Sequence, residues 1–323
     1  MKAALARVLH PVERGLDRLR PKRRTEGLVI DPYLGYATPE EIIFRGRVLT
    51  ALRRTAPSPE GSWWTNLRQM VSLFLTREVA DVRVSAGAAE AQTDEEGYFD
   101  LHLPRDGSEA PGWCRITAQV EAGESQELEA LIAAPETPLA VISDIDDTVL
   151  ETGAYSLLRN LWTSLTGNAL TRHVFPDAVA LMRGFEAAGA PIFFVSSSPW
   201  NLHFFLRRIF QRHDLPKAPV FLRDLGLSRT QFISGTHGDH KGASIDVLMA
   251  ALPETRFVLV GDTGQHDPQV YRAAAERHPG RVARVILREP GKGPGPKAAA
   301  AMAALREMGV TVESGRDYRE IAA

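Results

Sequence analysis

The chain reads as an α/β protein: a parallel sheet with helices on both faces, preceded by a small antiparallel β-sandwich domain. Beyond about residue 137, short apolar runs alternate with stretches of helical length, as expected of parallel strands covered on both faces. Ahead of that point, short β-rich runs follow one another with turn signals between them, as in sandwiches. A length of 323 residues also suggests two domains rather than one core. The expected division is a basic segment at 1–25, a β-sandwich domain at 26–136 and an α/β domain at 137–323.

Residues 1–25 carry Leu5, Val8, Leu9, Val12, Leu16 and Leu19 at helical spacing, with Arg7, Arg14, Arg18 and Arg20 between them. Pro11 should kink or split that helix. The segment reads first as an appendage or frayed tail, and second as a surface helix on anionic lipid. It lacks the continuous apolar stretch and cleavage site of a signal peptide. In the β-rich half, "LVIDPYLGY", "EIIFRGRVL", "DVRVSAGAAEAQTDEEGYFDLHLP", "RITAQVEAG" and "LEALIAA" read as strands, with a turn at Asp94–Gly97. The stretch "SWWTNLRQMVSLFLTREV" reads as one helical insertion, a cap on the sandwich or the domain interface, with a membrane-dipping element as its alternative.

After "AAPETPLA" the strands are "LAVIS", "PIFFVS", "APVFL", "RFVLVG" and "VARVIL". Helices are expected in "PDAVALMRGFEAAG", "WNLHFFLRRIFQRH", "KGASIDVLMAALP", "PQVYRAAAERHP" and "PKAAAAMAALREMG", and "VTVES" is a last short strand.

The totals bound the function. Thirty-eight Lys and Arg against 40 Asp and Glu leave a net charge of −2, which argues against a nucleic-acid binder. The single cysteine, Cys114, excludes an intrachain disulfide framework and suits a reducing compartment. No run approaches the length of a membrane span. The expected location is cytoplasmic, and peripheral at a membrane if the basic segment meets lipid.

Ligands of open parallel sheets bind beyond the carboxyl ends of the strands, so the polar residues after each apolar run belong together. Asp144, Asp146, Asp147 and Thr148 follow "LAVIS", and Ser196, Ser197 and Ser198 follow "PIFFV". Lys241 stands ahead of the helix "GASIDVLM", and Asp262 and Asp267 follow "RFVLV". Three aspartates within four positions repel one another and need a compensating solvent, cation or reaction.

These four sets resemble the motifs of the haloacid dehalogenase superfamily of phosphohydrolases: Asp144, Asp146 and Thr148 the first, Ser196 the second, Lys241 the third, Asp262 and Asp267 the fourth. The words "DIDDTV", "VSSSPWNL", "HKGASI" and "GDTGQHDPQVY" narrow the resemblance to the actin-patch type of phosphatidate phosphatase and its bacterial relatives, over most of residues 137–290. The resemblance implies a Rossmann-like catalytic sheet and attack by Asp144 on phosphorus, giving an aspartyl-phosphate. Asp146 would act as the acid and then the base. It also implies Mg2+ on Asp144, the Asp146 backbone carbonyl and Asp262, with Asp267 an outer or alternative ligand. Lys241 and Ser196 would hold the phosphoryl oxygens.

Blander roles stand beside these. Thr148 could cap the turn, and Ser197 and Ser198 read more readily as shaping the loop or capping the next helix than as phosphate contacts. Asp147 stays open between a cap or ion pair and an outer metal-water partner. His240 and His266 read first as surface or hydrogen-bonded histidines. Asp144 and Ser196 are 52 positions apart, and Ser196 and Lys241 are 45 apart. Neither interval holds a folded cap domain, so an open, capless site facing a phosphate on something large is expected. Phosphatidate at a membrane is the favoured substrate, and the apolar stretch "YSLLRNLWTSLTGNALTRHVF" would lie near the mouth. A phosphatase for phosphoprotein or nucleic-acid ends, and a non-catalytic phospholipid-binding adaptor, are the alternatives. The intact Asp144–Asp146 pair weighs against the adaptor.

Overall fold

The computed structural model describes residues 27–50, 79–121, 123–151, 174–223, 237–291 and 293–321. The basic segment at 1–25, most of the helical insertion and most of the apolar stretch beginning at Tyr155 lie outside the described residues.

Seven strands form the first sheet: β1 (Leu28–Ala37), β2 (Glu41–Thr50), β3 (Arg83–Ala86), β4 (Ala89–Gln92), β5 (Tyr98–Pro104), β6 (Gly112–Val120) and β7 (Ser125–Ile132). Their order is β4-β3-β6-β7-β1-β2-β5. All pairings are antiparallel except β1 with β7, which run parallel. The outermost strands β4 and β5 lie against each other, so the sheet rolls around one core that includes Phe44, Leu101, Val120 and Leu128. The expected turn at Asp94–Gly97 is present. The Asp94 side chain accepts the backbone N–H groups of Glu96 and Tyr98, both at 2.9 Å. This turn does not close a hairpin. It carries the chain from one edge of the sheet to the other.

The second sheet holds β8 (Leu139–Ser143), β9 (Ile192–Pro199), β10 (Val220–Arg223), β11 (Arg256–Asp262), β12 (Val282–Arg288) and β13 (Thr311–Gly315), in the order β10-β9-β8-β11-β12-β13. Every pairing in it is parallel. Its helices are α1 (Pro176–Ala187), α2 (His203–Arg212), α3 (His237–Ala251), α4 (Asp267–Arg277), α5 (Pro296–Glu307) and the short α6 (Tyr318–Ile321). The strand side chains alternate between two cores. Val141, Phe194, Val258 and Val260 pack with α1 and α2, while Ile142, Phe193, Phe257 and Leu259 pack with α3, α4 and α5. This two-sided burial explains why these strands read as unbroken apolar runs.

One boundary differs from expectation. Lys241 lies inside α3, which begins at His237, rather than ahead of it. The strand order reverses between β8 and β11, leaving the crevice at their carboxyl ends where doubly wound sheets bind ligands. The first sheet reaches into both cores, with Tyr33 in one and Tyr36 and Ile43 in the other.

A buried ion pair ties α1 to the carboxyl end of β12, the neighbour of β11. Arg288, the last residue of β12, donates to Asp177 of α1 at 2.7 Å, and both side chains are at most 6% exposed. The same Asp177 oxygen accepts the Tyr318 backbone N–H at 2.7 Å, and the Arg288 guanidinium lies over the rings of Phe175 and Tyr318. Removing one partner strands a buried charge. Asp177→Ala should therefore lose about 3–5 kcal/mol in urea unfolding, whereas Asp177→Leu combined with Arg288→Met should recover part of that loss.

Candidate active site

The apolar run of β8 ends in a buried switch-point crevice. The Asp144 backbone N–H donates to the Val260 carbonyl of β11 at 2.8 Å, which places its carboxyl between the two strands. The Thr148 hydroxyl donates to Asp144 Oδ2 at 3.1 Å, and Lys241 Nζ pairs with Asp144 Oδ1 at 2.7 Å. Both carboxylate oxygens are thus held. Thr148 orients the aspartate rather than capping the turn.

Lys241 also reaches Asp267 Oδ1 at 2.5 Å. The other Asp267 oxygen accepts the Asp262 backbone N–H at 3.1 Å. This packing requires Gly261, because a Cβ there would come within 2.4 Å of Asp267 Oδ2 and 2.7 Å of the Tyr271 hydroxyl. Tyr271 donates to the Val260 carbonyl at 2.7 Å, and Tyr318 donates to the Gly261 carbonyl at 3.2 Å. Asp262 Oδ1 accepts the backbone N–H groups of Gly264 and Gln265 at 2.7 and 2.8 Å.

Asp146 points to the other wall. Its Oδ2 accepts the hydroxyls of Ser196 at 2.8 Å and Ser198 at 2.9 Å. The Ser198 backbone N–H in turn donates to Ser196 Oγ at 3.0 Å. Ser198 therefore holds an acid rather than capping a helix. Neither the 3₁₀ turn that follows nor α2 has a side-chain cap at its N-terminus. Gln265 Nε2 donates to the Asp146 backbone carbonyl at 3.1 Å.

The electrostatics follow from burial. Desolvation pushes the Asp144 pKa well above the usual carboxylate range; Lys241 opposes this, while Asp267, Asp146 and Asp262 add to it. Burial, then the neighbouring Asp267, raises Asp262 from 3.8 to about 8. Burial by itself would lower the Lys241 pKa, but Asp144 and Asp267 outweigh it and hold the ammonium above its ordinary value.

Asp144, Asp262 and Asp267 each bring one carboxylate oxygen within 4.8 Å of the others. Asp262 Oδ2 is buried and accepts no hydrogen bond from any described residue. An all-oxygen set with an unsatisfied carboxylate oxygen fits a hard divalent cation such as Mg2+.

All six candidate residues thus meet at one crevice: Asp144, Asp146, Ser196, Lys241, Asp262 and Asp267. Asp147 is buried beside it with a φ of 57°, a left-handed conformation that Asp tolerates better than most residues. Its backbone N–H donates to the Leu150 carbonyl at 2.8 Å. His266 flanks α4 at its N-cap position without a side-chain capping bond.

Ser198, Gln265 and Arg288 were not foreseen as site partners. Arg288 donates to the Thr148 carbonyl at 3.3 Å. Its signal was available, since Arg288 is the polar residue closing the apolar run of β12.

Residues 139–289 match the family model described as phosphatidate phosphatase APP1, catalytic domain. The second domain resembles that phosphatase family. Over 152 residues the chain is 28% identical to phosphatidate phosphatase APP1 of Saccharomyces cerevisiae, covering 46% of this chain and 26% of that protein. It is also 28% identical over 152 residues to an uncharacterized protein of Schizosaccharomyces pombe, covering 47% and 25%. The chain spans about a quarter of the length of these curated relatives. Among solved structures, a HAD-like phosphatase of Mesorhizobium loti aligns at a TM-score of 0.36 and 14% identity, over 62% of this chain and 95% of that one. A class C acid phosphatase of Bacillus anthracis with tungstate bound aligns at 0.30 and 17%, over 40% and 53%.

Two outcomes follow from the crevice. Gly261→Ala should displace Asp267 from Lys241 and from the Asp262 N–H, and should lower the melting temperature measured by calorimetry. The second concerns pH. Asp262 takes up a proton at about 8 when folded but near 3.8 when unfolded, so the folded state binds more protons between those values. Stability in chelator should therefore fall as pH rises from about 4 to 8. Added Mg2+ should raise the melting temperature more at pH 8 than at pH 5. An equal effect at both would refute a cation at these carboxylates.

Proposed function

We propose that the chain is a Mg2+-dependent phosphomonoester hydrolase that works through an aspartyl-phosphate on Asp144. Phosphatidate at a membrane surface would be its substrate and diacylglycerol its product. The observation that carries this is the meeting of Asp144, Lys241 and the Asp262–Asp267 pair at the switch point, with Asp146 facing them from the Ser196–Ser198 wall. Family resemblance over residues 139–289 supports the same chemistry.

In this mechanism a carboxylate oxygen of Asp144 attacks phosphorus while the bond from phosphorus to the leaving alkoxide breaks. Asp146 gives its proton to that alkoxide. Water then attacks phosphorus and gives a proton back to Asp146, and the bond to Asp144 breaks to release phosphate. The Lys241 ammonium has three donors, of which Asp144 and Asp267 use two. The third can meet a phosphoryl oxygen, where fixed positive charge favours the transition state. Ser196 is given the second such contact, made by turning its hydroxyl from Asp146 to the substrate. Asp144, Asp262 and the Asp146 carbonyl would hold Mg2+, with Asp267 as an alternative ligand. The ion would supply positive charge where negative charge gathers on the phosphoryl oxygens.

We assign residues 26–136 to the N-terminal domain and 137–323 to the catalytic domain, without a cap. An uncapped crevice suits a phosphate displayed on a bilayer better than a small metabolite that must be enclosed. Among the described residues no helix is long and apolar enough to cross a membrane, which is compatible with peripheral contact.

A panel of phosphomonoesters, with and without Mg2+ and with phosphatidate in vesicles, tests this function. Mg2+-dependent release of phosphate from the vesicles is expected, and Asp144→Asn and Asp146→Asn should each lose at least about a hundredfold in kcat while folding normally. Turnover by Asp144→Asn would refute the nucleophile. Turnover of soluble esters alone would refute the lipid substrate.

A further inference from the structure

The strand end that orients Asp146 leads into an aromatic anchor buried against the other domain. Ser196 and Ser198 hold the acid, and two residues later Trp200 opens a single 3₁₀ turn. Trp200 is 8% exposed. Its ring stacks on Tyr33 of β1, with centroids 4.6 Å apart and planes 15° from parallel. Tyr98 of β5 lies 6.0 Å from Trp200, and the Arg45 guanidinium of β2 sits 5.0 Å above it. Arg45 also lies 4.7 Å over Phe221 of β10 and pairs with Asp100 at 3.5 Å. His203, which begins α2, packs 4.2 Å from the Tyr33 ring. Burial lowers its pKa to about 3, so it stays an uncharged part of this packing.

Three strands of the N-terminal sheet therefore enclose the residue that directly follows β9. Ser196 and Ser198 lie at the carboxyl end of β9, where its pairing with β10 shifts register between Phe221 and Arg223, and neither helical turn after it is capped by a side chain. A stacked ring offers the stiffness that a missing cap would have supplied, since close-packed interiors transmit displacement. We infer that the N-terminal sheet is part of the catalytic apparatus: Tyr33 and Arg45 fix Trp200, and through it the carboxyl end of β9, whose Ser196 and Ser198 orient Asp146. Tyr33, Arg45 and Trp200 are positioning residues and touch no substrate. The inference rests on the acid role proposed for Asp146.

The test compares full-length wild type with Tyr33→Ala, Tyr33→Phe and Leu128→Ala. Leu128 is fully buried in the N-terminal core and does not belong to the interface clusters. Tyr33→Ala should lower kcat by about ten- to a hundredfold, the scale of a small misplacement of a reacting group, with KM little changed. Tyr33→Phe keeps the stacked ring and should restore kcat. Leu128→Ala should lower the melting temperature but leave kcat intact below it. Hydrogen exchange should be faster at the amides of Ser196, Ser197, Ser198 and Trp200 in Tyr33→Ala, with β8 unaffected. If Tyr33→Ala does not fold, Arg45→Met, which removes the cation over Trp200, is compared in its place.

Unchanged kcat in the ring-deleting variant, or an equal loss in Leu128→Ala, overturns the inference. Absence of turnover in the wild type would instead overturn the proposed acid role of Asp146. Hydrogen exchange would then decide the mechanical link independently, with faster exchange at these four amides upholding it and unchanged exchange overturning it.

Discussion

One ammonium group holds the crevice together. Lys241 lies between Asp144 and Asp267, both essentially removed from water. Three carboxylates this close repel one another in a poorly solvating interior, and a single lysine cannot balance them all. The positions of β8, β11, α3 and α4 depend on that pairing, because each contributes one member of the cluster. The remaining imbalance falls on Asp262, whose second oxygen has no hydrogen-bond donor among the described residues. A structure built only for stability would have replaced such a cluster with apolar side chains, since buried charges add little to folding once their desolvation is counted. Its retention is understandable as a receptor for charge that arrives from outside.

Topology makes this cluster possible. The chain enters the second sheet at its centre with β8, builds outward through β9 and β10, and returns to the opposite side of β8 with β11. Adjacent strands whose following segments depart in opposite directions leave a gap at their carboxyl ends. Asp144 and Asp262 occupy the two lips of that gap, and α3 delivers Lys241 from one face. The carboxyl end of β9 supplies the other wall. Glycine at 261 is the local condition, because only a residue without Cβ lets the Asp267 carboxylate approach the β11 backbone.

Much of this was legible from residue order. Apolar runs such as "RFVLVG" exposed the second sheet because both of its faces are buried, and polar residues after those runs marked the crevice. Shape in the N-terminal sheet was less legible. Alternation in β1 and β7 does not reveal that they pair in parallel, nor that β4 and β5 close the roll, since both depend on contacts between strands distant in sequence. The start of α3 was misplaced because its first turn, "HGDH", has no apolar periodicity to announce it. Ser198 was underestimated for a related reason. A serine before a helical stretch resembles a cap, and only the fold reveals Asp146 within reach of its hydroxyl. Arg288 obeyed the strand-end rule but belonged to none of the recognised motifs.

Tyr318 carries a consequence for the order of assembly. Its hydroxyl meets the Gly261 carbonyl, 57 positions earlier, and its backbone N–H meets Asp177, 141 positions earlier. During vectorial synthesis, the strand bearing Asp262 leaves the ribosome well before either contact can form. The nascent crevice then holds its carboxylates with an incomplete scaffold, open to water and to surrounding cations. Completion waits for residue 318, so the most highly charged part of the interior is enclosed only after Tyr318 has been made.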